Sequence, residues 1–145
     1  MLNKQLSKNN IINAKYRALV KPMPELDEFI LINQHPFSCN YHFAWNEKQK
    51  KQKRTVAYNA WLYNITEILN PDLFPQIDWE KPIEVTLLFI HKKGMDVDNF
   101  SKSVIDALFN WFGLDDKAVR IVHSYTLDTC KKYKDGKIYI HLRNV

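Results

Sequence analysis

The chain has 145 residues, 46% of them hydrophobic and 13% aromatic. That is one domain's worth of sequence, able to bury a core without a disulfide or a structural metal, and it excludes intrinsic disorder. The 21 Lys and Arg against 16 Asp and Glu give a formal net charge of +5, which admits either a polyanionic partner or simple solubility. With only 3 glycines, a Gly-rich phosphate loop and a nucleotide cofactor are not expected. The longest apolar run, Val85 to Ile90, is strand-sized and far short of a membrane span. The first residues lack the apolar core of a signal peptide, so the expected compartment is the cytoplasm. Cys39 and Cys130 are isolated thiols with no zinc spacing.

In chain order, residues 1–25 are polar and weakly patterned and read as an N-terminal arm. The Pro22-Met23-Pro24 breaker closes it, and the domain proper is expected over 26–145. Phe29–Ile32 reads as a first strand. Pro36-Phe-Ser-Cys-Asn40 reads as a loop. From Asn46 the pattern turns helical, with Ala57, Trp61, Asn64/Ile65 and Ile68 at helix spacing and Asn70-Pro71 as the stop. Ile83–Ile90 is a strand rich in β-branched residues. A second helix is expected from about Asp98 to Phe112, ending at Gly113. Two strands follow, at about 118–128 and 137–142, with Asp135-Gly136 as a hairpin signal between them. The order β-α-β-α-β-β predicts a single α+β domain, a mixed sheet with two helices on one face.

The second helix and its flanks hold the most informative residues. With Asp98 at 0° on a helical wheel, Lys102 falls at about 40° and Asp106 at about 80°, while Phe100, Val104, Ala107, Leu108 and Trp111 fall on the far side as core. Phe109 falls at about 20°, off the core face. Asp96 and Asp98 are two apart where a strand gives way to a helix, so both carboxylates point one way. Asp98 also reads as a helix N-cap. If the strand from about Ala118 pairs beside the strand ending at Ile90, Asp115-Asp116 returns to the same place. Such a carboxylate cluster is either a solvated acidic surface or a site neutralised by a cation. Oxygen ligands without cysteine select Mg²⁺ or Mn²⁺. A divalent cation in a basic protein suggests phosphodiester hydrolysis. Lys102 is then placed to stabilise developing charge, or else to pair with Asp98 one turn back.

These residues resemble a known family. Asp96-Val-Asp98-Asn99-Phe-Ser-Lys102, then Asp106-Ala-Leu108, then Asp115-Asp116, is similar to the D-x-D-N-x-x-K, D-A-L and D-D pattern of the RusA-type Holliday junction resolvases. Upstream, Pro36-Phe-Ser38-Cys-Asn40 resembles that family's P-x-S-x-N segment, with Phe43 as the aromatic three residues on. The resemblance implies a homodimeric, Mg²⁺-dependent endonuclease that resolves four-way DNA junctions by paired incisions. By the same resemblance Asp96, Asp98 and one of Asp115 and Asp116, with Asp116 favoured, hold the metal. Lys102 is the catalytic lysine. Asn99 holds the turn, and Asp106 stands behind the ligands.

Lys48, Lys50, Lys51, Lys53 and Arg54 are expected at the first helix's N-terminus. Cations oppose the helix dipole there, so an anion such as DNA phosphate is the natural occupant. Lys92 and Lys93 would flank the scissile strand. The lysines at 131, 132, 134 and 137 read as a surface turn. Trp61 and Trp111 read as core. The five histidines show no metal spacing, and His91 lies nearest the acidic motif. A junction has two equivalent strands to cut, so a C₂ dimer is expected, with Phe109 as candidate interface residue and Trp111, Phe112, Leu73 and Phe74 nearby. Two other function classes fit less well. One is a branched-DNA-binding accessory protein without nuclease activity, against which the intact Asp and Lys set argues. The other is a small metal-dependent phosphotransfer or sugar-nucleotide enzyme, against which size and charge argue.

Overall fold

Residues 83–92, Ile-Glu-Val-Thr-Leu-Leu-Phe-Ile-His-Lys, are almost continuously apolar and β-branched, the composition of a strand covered on both faces. In the computed structural model, which describes residues 24–95 and 100–145, this segment is an inner strand, β4 (Ile83–Lys92). It belongs to a four-stranded sheet with β1 (Ile30–Ile32), β5 (Val119–Cys130) and β6 (Lys137–Asn144), in the order β1-β6-β4-β5. β4 pairs antiparallel with β6 and parallel with β5, and β1 pairs antiparallel with β6. The sheet is therefore mixed, as expected.

Two helices cover one face of it. α1 (Val56–Thr66) buries Tyr58, Trp61, Leu62 and Ile65. α2 (Phe100–Ile105) continues through a π-helical turn, Asp106–Asn110, and buries Phe100, Val104, Ala107, Leu108 and Phe109. These side chains share one core with Val85, Leu87 and Phe89 of β4. On the opposite face Leu88 and Ile90 pack with Phe29 and Cys130. There the buried Glu84 carboxylate takes His123 at 3.0 Å and the Arg143 guanidinium at 2.8 Å. The single α+β domain read from the sequence is thus present.

Four local readings are corrected. First, residues 43–54 do not begin a helix. They form a separate antiparallel hairpin, β2 (Phe43–Asn46) and β3 (Lys51–Arg54). Its turn carries no glycine. Lys50 takes the left-handed conformation (φ 51°), and the Asn46 side chain accepts from Gln49 N–H. The helix starts only after Thr55, whose hydroxyl caps it by accepting from Tyr58 N–H at 3.1 Å. Its buried stripe is therefore Tyr58, Trp61, Leu62, Ile65 and then Leu69, while Ala57 and Ile68 are exposed.

Second, Asp135-Gly136 does not close a hairpin, because β5 and β6 flank β4 on opposite sides. Leu87 pairs with Ser124 of one and Ile140 of the other. This arrangement hydrogen-bonds both edges of the most apolar strand; a β5–β6 hairpin would leave it at an edge.

Third, β5 does lie beside β4, but in parallel, so Val119 faces Ile83 rather than Ile90. Asp115 and Asp116 therefore sit at the Ile83 end of β4, not at the Lys92 end. Fourth, Phe109 is fully buried in its own chain, edge-on to Trp79 at 5.5 Å, whereas Trp111 is exposed. The π turn adds a residue to the helical repeat at this point, which rotates every later position relative to an α wheel.

Candidate nucleic-acid interface

The C-terminal end of β4 is where separate parts of the chain meet. His35 ties the loop before β2 to it. Lys92 N–H donates to His35 Nε2 at 3.0 Å, so the ring's proton is on Nδ1, which donates to Pro36 O at 2.8 Å. Burial, chiefly, with a smaller contribution from the Lys92 charge, holds His35 below the ordinary histidine pKa, and the Lys92 N–H donated to Nε2 fits the neutral ring. Its ring stacks on Tyr133 at 4.0 Å, which brings the 131–136 connection to the same place. Trp61 Nε1 donates to His35 O at 2.8 Å. α1 thereby joins the arrangement.

A second tie holds the loop to α2. Ser103 Oγ donates to Phe37 O at 2.5 Å and so accepts from His42 Nε2 at 2.6 Å. His42 is stacked on Tyr58 at 3.7 Å. Burial lowers the His42 pKa; burial first, and then the Asp106 charge, push the Tyr58 hydroxyl up to about 12. The hairpin hangs from this loop through Thr55, whose N–H donates to His42 O and whose hydroxyl donates to Tyr41 O at 2.7 Å.

Three basic segments surround this point. The hairpin carries Lys48, Lys50, Lys51, Lys53 and Arg54, all exposed. They are on a hairpin and not on a helix N-terminus, so the dipole argument for an anion there does not hold. In its place the pairing Phe43–Arg54 and Trp45–Gln52 sets two exposed aromatics on one face, and Ala44–Lys53 and Asn46–Lys51 sets lysines on the other. Lys92 and Lys93 are exposed at the end of β4, and Lys131, Lys132 and Lys134 are exposed around Tyr133. The last group, read from sequence as a surface turn, is brought to the end of β4 by a chain crossover that sequence pattern did not reveal. His35, His42 and Ser103, which build the site's frame, were also missed. Nothing in their local spacing signals contacts across 57 or 61 residues.

Of the expected catalytic residues, Asp96, Asp98 and Asn99 lie outside the described residues. Lys102 is exposed on α2, with Nζ 3.2 Å from Asp106 Oδ2, and Asn110 Nδ2 donates to the other oxygen of Asp106 at 2.8 Å. Asp115 caps the short turn Asp116–Ala118 by accepting from Lys117 N–H at 2.9 Å. Both Asp115 and Asp116 are exposed. Asp115 shares a cleft with Trp79, Pro82 and Arg120 at the far end of β4. Among the described residues no three His, Cys, Asp or Glu side chains are grouped to hold a metal ion. Both cysteines are free thiols, and no described helix is long and apolar enough to cross a membrane. No family model matches the sequence, and no curated protein matches it.

Proposed function

We propose that the chain is a metal-dependent endodeoxyribonuclease of RusA type that resolves branched DNA, a four-way junction, as a homodimer. The observation that carries this reading is the meeting of three exposed basic segments around the end of β4 from which the chain enters the D-x-D-N-x-x-K motif. DNA is held there by lysine and arginine contacts to phosphates. Lys102 lies on the first turns of the helix that follows, its ammonium held by Asp106, and neutralises charge building on the attacked phosphate.

The metal's ligands in this reading are Asp96, Asp98 and Asp116, with Asp115 beside it. Hard carboxylate oxygens suit Mg²⁺, which when bound supplies Lewis-acid polarisation of the phosphate and a water of lowered pKa. Asp106 stands behind them in this reading, its two oxygens accepting from Lys102 Nζ and Asn110 Nδ2. The parallel register bears on how the set is assembled. β4 spans 10 residues, about 30 Å at about 3.3 Å each, and separates the acidic pair from the Lys92 end. Asp96 follows Lys92 by only four residues, so the chain carries it at most about 14 Å away. The third carboxylate is therefore drawn from a second copy of the chain.

The test is incubation with a synthetic four-way junction, with and without Mg²⁺. Symmetric paired cuts are expected only with the metal. Asp96→Asn and Asp98→Asn should abolish cleavage while leaving junction binding equal or tighter, since less negative charge faces the phosphates. Binding with no cleavage under any divalent metal would turn the reading to the accessory protein. Cleavage by either Asn variant at the parent rate would remove the catalytic assignment.

A further inference from the structure

The Pro36-Phe-Ser38-Cys-Asn40 segment has no part in the chemistry above, yet it walls a cavity of about 430 Å³. Phe37, Tyr41, Phe43, Phe100 and Tyr133 supply aromatic walls, and Met95 closes the side from which the D-x-D motif follows. No Lys, Arg, Asp or Glu is among the described lining residues. The polar groups are few, and Thr55 is already engaged with Tyr41 O and Tyr58 N–H. The described part of the lining suits a flat, largely apolar group.

Its surroundings are the opposite. Arg54 and Lys53 pair across the hairpin with Phe43 and Ala44 of the lining. Lys93 lies two residues before Met95, and Lys132 and Lys134 flank Tyr133. The acidic groups nearby are Glu47 in the hairpin turn, paired with Lys50, Asp135 after Lys134, and Asp106, which is paired with Lys102 and shares a cleft with Phe43 and Arg54; Asp96 follows Met95 in sequence. Aromatic walls with cationic segments on either side fit one class of ligand, an aromatic ring carried on a polyanionic strand. Trp45, half exposed on the same hairpin face as Phe43, extends the aromatic surface outward.

We infer that this cavity receives an unpaired base of DNA, with the neighbouring phosphates on the three basic segments. The inference rests on the proposed DNA partner and deepens it. The protein recognises branched DNA by seating a base that a continuous duplex keeps stacked. Single-strand sites use this combination of stacking aromatics and cationic flanks. An apolar side chain of a protein partner would fill the same socket but would have no use for the cationic rim.

The probe is 2-aminopurine placed in DNA, measured in EDTA so that binding is read without cleavage. At an unpaired position beside a branch, its emission should change when the full-length protein binds, and in a plain duplex it should not. Phe43→Ala and Tyr133→Ala truncate exposed rings and should cut affinity for the unpaired-base DNA roughly tenfold, more than affinity for duplex. Thermal melting of each variant confirms that it is folded. If the protein binds and cuts junctions but the probe is silent, or both DNA forms weaken equally, the base pocket is wrong and the nuclease reading stands. If it binds no DNA, both fall.

Discussion

Individual residues carry more of this architecture than their types suggest. Gly136 looks like a turn glycine, yet its backbone is extended (φ −62°). It is needed for close approach instead. A Cβ added there would lie 2.8 Å from the His35 Cα and closer still to the ring, and that ring is pinned against Tyr133. Gly136→Ala should therefore destabilise the protein by about 1–3 kcal/mol, as overpacked sites do, seen as a lowered melting temperature. An unchanged melting curve would mean that the His35–Tyr133 stack yields freely. His35 makes a second prediction. Its Nε2 accepts from Lys92 N–H, so a proton there would set donor against donor. A histidine whose folded pKa is lowered binds fewer protons folded than unfolded. Its contribution is thus present above the ordinary value of 6.5 and lost as pH falls through it. His42 and His141 shift the same way. The melting temperature should drop from pH 7.5 to 5.5, and less so in His35→Asn; a flat profile over that range would refute it.

At the level of elements, the hairpin with its exposed cations is where the proposed DNA contact is tested. Changing Lys50, Lys51, Lys53 and Arg54 together to Gln should weaken DNA binding and flatten its salt dependence, since each lost phosphate contact lowers the log–log slope by about 0.9 on duplex. An unaltered slope would reduce the hairpin to a solvated surface. This element also shows where sequence pattern stops being informative. β4 was legible because its apolar run is continuous, and α2 because its core stripe keeps helical spacing as far as Leu108. The hairpin was hidden because Lys-Gln-Lys-Arg is equally at home on a helix, and its turn uses Lys50 where a glycine would have signalled it. The strand order was hidden for a different reason. Asp135-Gly136 gives a local hairpin signal, and only the need to cover both edges of β4 overrides it. Of the candidate site, Lys102 and its neighbour Asp106 were readable from the wheel. The frame of His35, His42 and Ser103 was not, since it is made by tertiary contacts alone.

For the whole molecule the question is whether one chain is a complete catalytic unit. Phe109 is withdrawn into the core, so it no longer offers an interface. Trp111 and Phe112 remain exposed, and only Gly113 and Leu114 separate them from the acidic pair at the Ile83 end. An interface built on these rings would put Asp115 and Asp116 at the boundary with the second copy, and for each pair to serve the other chain's D-x-D motif the two-fold patch must also take in the Lys92 end of β4. Sedimentation equilibrium at micromolar concentration should give a dimer, and a strict monomer would end this arrangement. A complementation test separates it from a dimer of self-contained subunits. An Asp96→Asn chain and an Asp115→Asn/Asp116→Asn chain should each be inactive alone. If sites are shared, a mixed dimer contains one site with all substitutions and one with none, so mixing the two inactive proteins should restore nicking of one strand without paired resolution. If each chain builds its own site, every site in the mixture keeps a lesion and no nicking returns. That second outcome would place D-x-D and the acidic pair of each site in the same chain, whereas an Asp115→Asn/Asp116→Asn chain active on its own would remove the pair from the metal site.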